Sequence, residues 1–249
     1  MVPTESFEKL DPREIHFRVS GPIEGLKLFL RHLAPVRPTA RTRAVLFVHG
    51  MSFPSALSIA LRFDGRSWRD ELCDTGFDVW GLDFYCFGYS DRYAEMRRPA
   101  ESNQPLGQAQ EISQQIECDA RFICAPNVVP RISLIAHSGR TIGTAIFAIR
   151  NPEVVDRLVF FAPIARRELR QGKLAYDPVY VRAPLAIVRG EWDSMCTDAD
   201  ARWLFDALSG SPTKRDVKIN RATHLMRLEK SRYALYRETQ TLLEGETAP

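Results

Sequence analysis

Along this chain, apolar runs of strand length alternate with stretches of helical length, and few folds accommodate that order. "RAVLFVHG" (43–50), "FDVWGLDF" (77–84), "RISLIAH" (131–137), "DRLVFFAP" (156–163) and "PLAIVRGE" (184–191) are almost continuously apolar. That is the pattern of strands covered on both faces. Between them lie helix-like segments. "GRSWRDELCDTG" is a short one, and residues 107–124 carry Ile112, Ile116, Ala120 and Ile123 on one face. An apolar stretch then runs from Ser138 to about Ile149, where "NPE" stops it, and "DADARWLFDALSG" is closed by a glycine. "EIHFRVS" and "LKLFLRHL" open the chain as two strands around the turn signal "GPIEG"; "KRDVKIN" is a last strand and "SRYALYRETQTLLEG" a last helix. Strands separated by helices predict an α/β fold with a mostly parallel sheet flanked by helices.

The 249 residues, 45% of them hydrophobic, suffice for one α/β domain spanning 1–249, and no repeat or linker marks a second. The connection "PIARRELRQGKLAYDPVYVRAP" is long enough for one or two helical turns only. A net charge of +3, from 34 basic and 31 acidic residues interspersed, gives no electrostatic basis for nucleic-acid binding. No segment approaches the ~20 apolar residues that cross a bilayer, so no membrane association is expected. The opening "MVPTESFEKLD" lacks a basic stretch followed by an apolar one, so no secretory leader is expected. Five cysteines without a Cys-x-x-Cys pair point to reduced thiols and a cytoplasmic location.

Chemistry concentrates where these strands end. A strand that stops at Ser138 and turns directly into a helix holds the hydroxyl at the carboxyl edge of the sheet, beside the positive end of the helix. Alone, such a serine can equally be a helix cap. "FVHGMSFPS" (47–55) ends another strand in His-Gly, a turn that can aim backbone N–H groups at a developing oxyanion. The N–H groups of Met51 and Gly139 are the natural pair. A serine hydroxyl needs a base. Of five histidines, His16 and His32 lie in early strands, His49 belongs to the loop just described, and His137 precedes the serine and points elsewhere. That leaves His224, in "RATHLMRLE", between the last strand and the last helix. The acid that orients it is Asp193, in the turn after "IVRG"; Glu191 competes, while Asp198 and Asp200 suit caps of the following helix.

With Ser138, Asp193 and His224 in that order, the chain resembles the α/β-hydrolase superfamily from about residue 14 to 244. The matching pieces are "VHGMS", "LDFYCFGYSDR", "LIAHSGRT", "RGEWDS" and "ATHLMRLE". The resemblance implies an eight-stranded sheet whose first two strands form an antiparallel edge. It also implies a triad of Ser138, Asp193 and His224 and an oxyanion hole at Met51 and Gly139. Ser138 stands where dehalogenases and epoxide hydrolases of this fold carry aspartate. Residues 164–183 replace the helical cap of many relatives by a short lid, leaving a shallowly covered pocket.

The chain departs from the family pattern twice. Cys86 replaces a usual glycine in the stretch marked by Asp83, Gly88 and Ser90, where it is expected to pack. Arg140 fills the last small position of the elbow. Gly143 and Thr144 on the same helical face leave room for its stem, and a buried guanidinium calls for an acidic partner. Arg140 then either pairs with the scaffold or anchors substrate. Phe53, Phe84, Phe87, Trp192 and Met195 flank the catalytic loops, as pocket wall or as core. Arg166, Arg167, Arg170 and Lys173 form either a solvated face or an attraction for an anionic substrate, a coenzyme A thioester or an acidic carrier.

The expected activity is cleavage of a carboxylic ester, thioester or lactone through an acyl-enzyme, on a small-molecule substrate, without metal or organic cofactor. The alternatives are carbon–carbon bond hydrolysis or a biosynthetic tailoring step by the same triad, and a non-catalytic hydrolase-like binding protein.

Overall fold

A computed structural model describes residues 7–37, 43–124, 129–165 and 174–245. Eight strands, β1 (Ile15–Ser20), β2 (Lys27–Leu33), β3 (Arg43–Val48), β4 (Phe77–Asp83), β5 (Ile132–His137), β6 (Val155–Phe161), β7 (Leu185–Gly190) and β8 (Lys214–Ile219), form one sheet in the order β1-β2-β4-β3-β5-β6-β7-β8. β2 runs antiparallel to both of its neighbours, and every other pair is parallel. The expected antiparallel edge is therefore present. Central strands β4, β5 and β7 are buried along their whole length, as their unbroken apolar runs require. β8 closes the sheet as a half-exposed edge rich in charge, "KRDVKI", which discourages pairing with another chain.

The helices α1 (Trp68–Asp74), α2 (Ala109–Ile123), α3 (Arg140–Arg150), α4 (Asp198–Ala207) and α5 (Arg232–Glu244) cover both faces. Side chains of successive strand residues point to opposite faces. Val45, Phe47, Ile135, Val159 and Phe161 thus pack with Trp68 and Leu72 of α1 and Leu235 and Leu242 of α5. Leu46, Leu134, Phe160 and Ile187 pack with Ile112 and Ile116 of α2, Ala145 and Phe147 of α3 and Leu204 of α4. Each such fully buried side chain contributes about 1.5–3 kcal/mol. α2 and α3 meet at Gly143, where an added Cβ would sit 2.5 Å from Cγ2 of Ile112.

Local signals differ from the sequence reading at α4. Thr197 caps this helix, its hydroxyl accepting from the Asp200 N–H while the Asp200 carboxylate reaches back. Asp198 instead pairs with Arg189 and Lys218. Gly210 does not close the helix, which ends at Ala207; a Cβ there would collide with the carbonyl of Val179 in the turn Pro178–Tyr180. Close backbone approach, not helix termination, accounts for that glycine.

The chain leaves β3 toward the α1 face and leaves β5 toward the α3 face. Between these strands lies the topological switch point, where the two loops diverge and open a crevice at the carboxyl edge of the sheet. Both Met51 and Ser138 belong to those loops.

Candidate active site

Ser138 occupies a left-handed backbone conformation, φ 59°, between β5 and α3. A non-glycine residue there costs about 1–2 kcal/mol, and hydrogen bonds hold it in place. Its N–H donates to Phe161 O at 2.9 Å, and its carbonyl accepts from the Thr141 N–H at 3.1 Å and the Thr141 hydroxyl at 2.7 Å. The result lifts the Ser138 hydroxyl off the end of the sheet.

His224 Nε2 lies 2.9 Å from Ser138 Oγ, and His224 Nδ1 lies 2.9 Å from Asp193 Oδ2. The carboxylate is the acceptor, which places the imidazole proton on Nδ1 and leaves Nε2 free to accept from the serine. Asp193 is buried, and burial alone would raise its pKa. Its hydrogen bond to His224 and the N–H groups of Cys196 (3.0 Å) and Met195 (2.9 Å) outweigh that and hold the carboxyl below its ordinary range. Glu191, the competing acid, accepts the N–H of Arg221 at 2.9 Å and makes no contact with the histidine. Gly190, at the end of β7, packs directly on the backbone of Ala222 and Thr223, and this brings the Asp193 and His224 loops together.

Met51 and Gly139 are adjacent: a Cβ on Gly139 would stand 3.0 Å from the Met51 sulfur. Among the described residues neither N–H has a hydrogen-bond partner, so both are available to a ligand oxygen. The Met51 loop is anchored by Asp83, which accepts the N–H of Ser55 at 2.6 Å and of Tyr89 at 3.4 Å. Ser90 accepts Phe29 N–H at 2.7 Å and donates to the Asp83 carbonyl, and Gly88 presses so closely on Asp83 that no side chain fits. Cys86, expected to pack, does lie against the core, but at φ 69°. Its left-handed backbone is the reason a glycine suits this position.

Two histidines set aside in the sequence prove to be part of the frame. His49 is fully buried, with Nδ1 donating to Gly50 O at 2.6 Å and Nε2 accepting the Phe84 N–H at 3.2 Å. His137, expected to point elsewhere, lines the cleft with Ser138; its Nε2 donates to the backbone carbonyl of His224 at 3.2 Å and its ring stacks on Phe161. Burial pushes the pKa of both downward, so both stay neutral. His137 thereby ties β5 to the His224 loop. Its position directly before the serine was the available signal.

A cleft of about 760 Å³ opens over Ser138, with Ile112, Ile142, Ile146, Ile164 and Leu174 as its apolar wall and Gly107, Gln108, Gln110 and Arg140 among its polar lining. Of the aromatic and sulfur candidates only Met195 lines it, as does Met51. Phe53 instead lies under the Arg227 guanidinium, 5.0 Å from its ring, and fully buried Phe84 packs edge-on against His49. Trp192 is 60% exposed, and among the described residues only its backbone, donating to Ala222 O, is engaged. Proximity in sequence to a catalytic loop did not specify which way these rings face. Ile112 comes from α2, Ile142 and Ile146 from α3, and Ile164 and Leu174 from the segment after β6.

Arg140 is 8% exposed and makes no ion pair among the described residues, contrary to the expected acidic partner. Its Nη1 donates to Gly107 O at 3.0 Å and its guanidinium lies over the Phe84 ring at 4.9 Å. The basic lid residues Arg166, Arg167, Arg170 and Lys173 lie outside the described residues. Among the described residues no group of histidine, cysteine and carboxylate side chains could hold a metal, and no helix is long and apolar enough to cross a membrane.

No family model matches the sequence, and neither does any curated protein. Solved structures do. A predicted CIB-like hydrolase from Thermoplasma acidophilum superposes with a TM-score of 0.68 at 18% identity, over 93% of this chain and 99% of its own. Dienelactone hydrolase from Anabaena variabilis gives 0.68 at 18%, over 92% and 97%. Est1E from Butyrivibrio proteoclasticus with ferulic acid bound gives 0.70 at 15%, over 92% and 100%. At this identity the likeness is one of fold, and the fold is that of the α/β-hydrolases.

Proposed function

We propose that this chain, which has the α/β-hydrolase fold, is a serine hydrolase that cleaves a carboxylic ester, thioester or lactone through an acyl-enzyme. The observation that carries this reading is the hydrogen-bonded series Asp193–His224–Ser138, ending in a hydroxyl held on a strained turn beneath an open cleft. His224 takes the Ser138 proton as Oγ attacks the carbonyl carbon. The resulting oxyanion accepts the N–H groups of Met51 and Gly139. Collapse breaks the bond to the leaving alcohol or thiol, which receives the proton from His224. Water, deprotonated by the same imidazole, then releases the acid and restores the serine. No step calls for a metal or organic cofactor.

The structural neighbours named as esterases and as dienelactone hydrolase support the reaction class at the level of fold. The five free cysteines support a reducing, cytoplasmic setting. Labelling with a fluorophosphonate probe tests the reading: wild type should react and Ser138→Ala should not. A folded wild type that stays unlabelled refutes it and favours a binding protein built on the same frame.

A further inference from the structure

Arg140 combines features that a purely structural arginine does not need. It stands two residues after Ser138 and lines the same cleft. More than nine-tenths of it is buried, yet among the described residues its guanidinium has one protein hydrogen bond, from Nη1 to the Gly107 carbonyl. Nε is buried with no partner. Nη2 makes no hydrogen bond either, but it is not sealed off from the cleft. Among the described residues the carboxylate that acts on it, Glu111, does not neutralise the cation by contact: its Oε2 accepts the Gly107 N–H at 3.0 Å, its Oε1 is buried and unpartnered, and it does not line the cleft. Burial pushes the Arg140 pKa down to about 10, against the favourable influence of Tyr93 and Glu111, which still leaves a full positive charge at neutral pH.

A buried cation with unused donors is expensive to maintain, because the water it lost has not been replaced. The aromatic faces of Phe84 and Phe87, 4.9 and 5.9 Å from the guanidinium carbon, hold it flat and recover part of that loss. They leave Nη2 without a hydrogen-bond partner among the described residues. A planar fork held this way is complementary to a carboxylate. The apolar wall formed by Ile112, Ile142 and Ile146 suits the methylene chain that would connect such a carboxylate to a carbonyl at Ser138.

Resting on the hydrolase reading above, we infer that Arg140 is the anchor for a carboxylate carried by the substrate, so that the enzyme acts on esters or lactones of the dicarboxylic half-acid type. Arg140 takes the place of the elbow's small residue and sets specificity without joining the proton transfers.

The test compares, in the wild-type protein, p-nitrophenyl half-esters of succinate, glutarate and adipate with the p-nitrophenyl esters of the corresponding monomethyl diesters, in which the distal carboxylate is masked. For at least one chain length kcat/KM should favour the free carboxylate by about tenfold to a hundredfold, the discrimination given by a charge-assisted pair. In Arg140→Met that ratio should fall to near one, whatever the absolute rates, and Arg140→Lys should restore part of it. Fluorophosphonate labelling is run in parallel. Labelling with no preference at any chain length, or a preference that survives in Arg140→Met, overturns the anchor and leaves the hydrolase intact. Failure to label overturns the hydrolase reading itself. Should Arg140→Met not fold, competition decides: glutarate should slow wild-type labelling at concentrations where glutaramide does not, and equal effects overturn the proposal.

Discussion

Replacing Gly190 by alanine adds one carbon at the point where the acid loop and the base loop touch. That carbon would sit 2.5 Å from the carbonyl carbon of Ala222 and 2.9 Å from the Thr223 oxygen, with the Ala222 oxygen nearer still. All are backbone atoms and cannot rotate aside. The two segments are also fastened to each other, Glu191 N–H to Ile219 O and Trp192 N–H to Ala222 O, each at 2.8 Å. Relief therefore has to come from moving the loops apart by roughly half an ångström to an ångström, the scale at which overpacking costs about 1–3 kcal/mol. Asp193 lies three residues beyond the insertion and His224 two residues beyond Ala222, so their 2.9 Å hydrogen bond absorbs the displacement. Misplacement of this size costs about a hundredfold in rate. The assay is kcat/KM on a short p-nitrophenyl ester together with the thermal midpoint, which should drop by a few degrees. Gly25→Ala is the control: at φ 80° it is strained as well, but nothing lies within 4 Å of the added carbon, so it should lose stability and keep its rate. A Gly190→Ala protein with a third or more of wild-type activity and an unchanged midpoint would refute the argument.

Acid sensitivity should begin unusually early. His49 and His137 are both held below their ordinary 6.5 by burial, so above that pH folded and unfolded chains carry no proton at either ring. Below it the unfolded chain binds protons that the folded chain does not, and stability falls by about 1.4 kcal/mol per pH unit for each histidine, about 3 for the two. Urea midpoints should decline from pH 6.5 to 5, and less steeply in His137→Asn; a flat profile in wild type contradicts the assignment. Arg227 is 3% exposed, has Nε and Nη1 unpartnered, and has its pKa pushed down to about 10 by burial. Arg227→Met should hold or raise stability by about 1–2 kcal/mol and, by removing a cation that disfavours protonation of His137, reduce the acid sensitivity. A loss of more than about 2 kcal/mol measured by denaturant unfolding would mean that the stacking on Phe53 matters more than the buried charge.

The strands and helices were legible because each rests on a local regularity. Unbroken apolar runs such as "VLFV" and "LVFF" need cover on both faces, and the 3.6-residue spacing of Ile112, Ile116 and Ile123 needs cover on one. The nominated Ser138, Asp193 and His224 were legible for a related reason: each lies in the loop after a strand, and parallel strands gather their following loops at one edge of the sheet. Where side chains compete for the same role, local pattern was insufficient. Thr197 rather than Asp198 caps α4, because Arg189 on β7 claims Asp198 from across the fold.

The sequence by itself therefore determined the layered α/β architecture, the edges of its elements to within about three residues, and the order of the three polar groups. Only the tertiary structure decided which surfaces the cleft uses. Phe53, Phe84 and Trp192 face away from it while α2 and α3 turn isoleucines into it, since the rotation of one helix against another depends on contacts such as Ile112 with Gly143 that are remote in sequence. It also decided that Arg140 is buried without a carboxylate in contact among the described residues. Pairing of a charge is a property of three-dimensional neighbours, and no spacing along the chain encodes it.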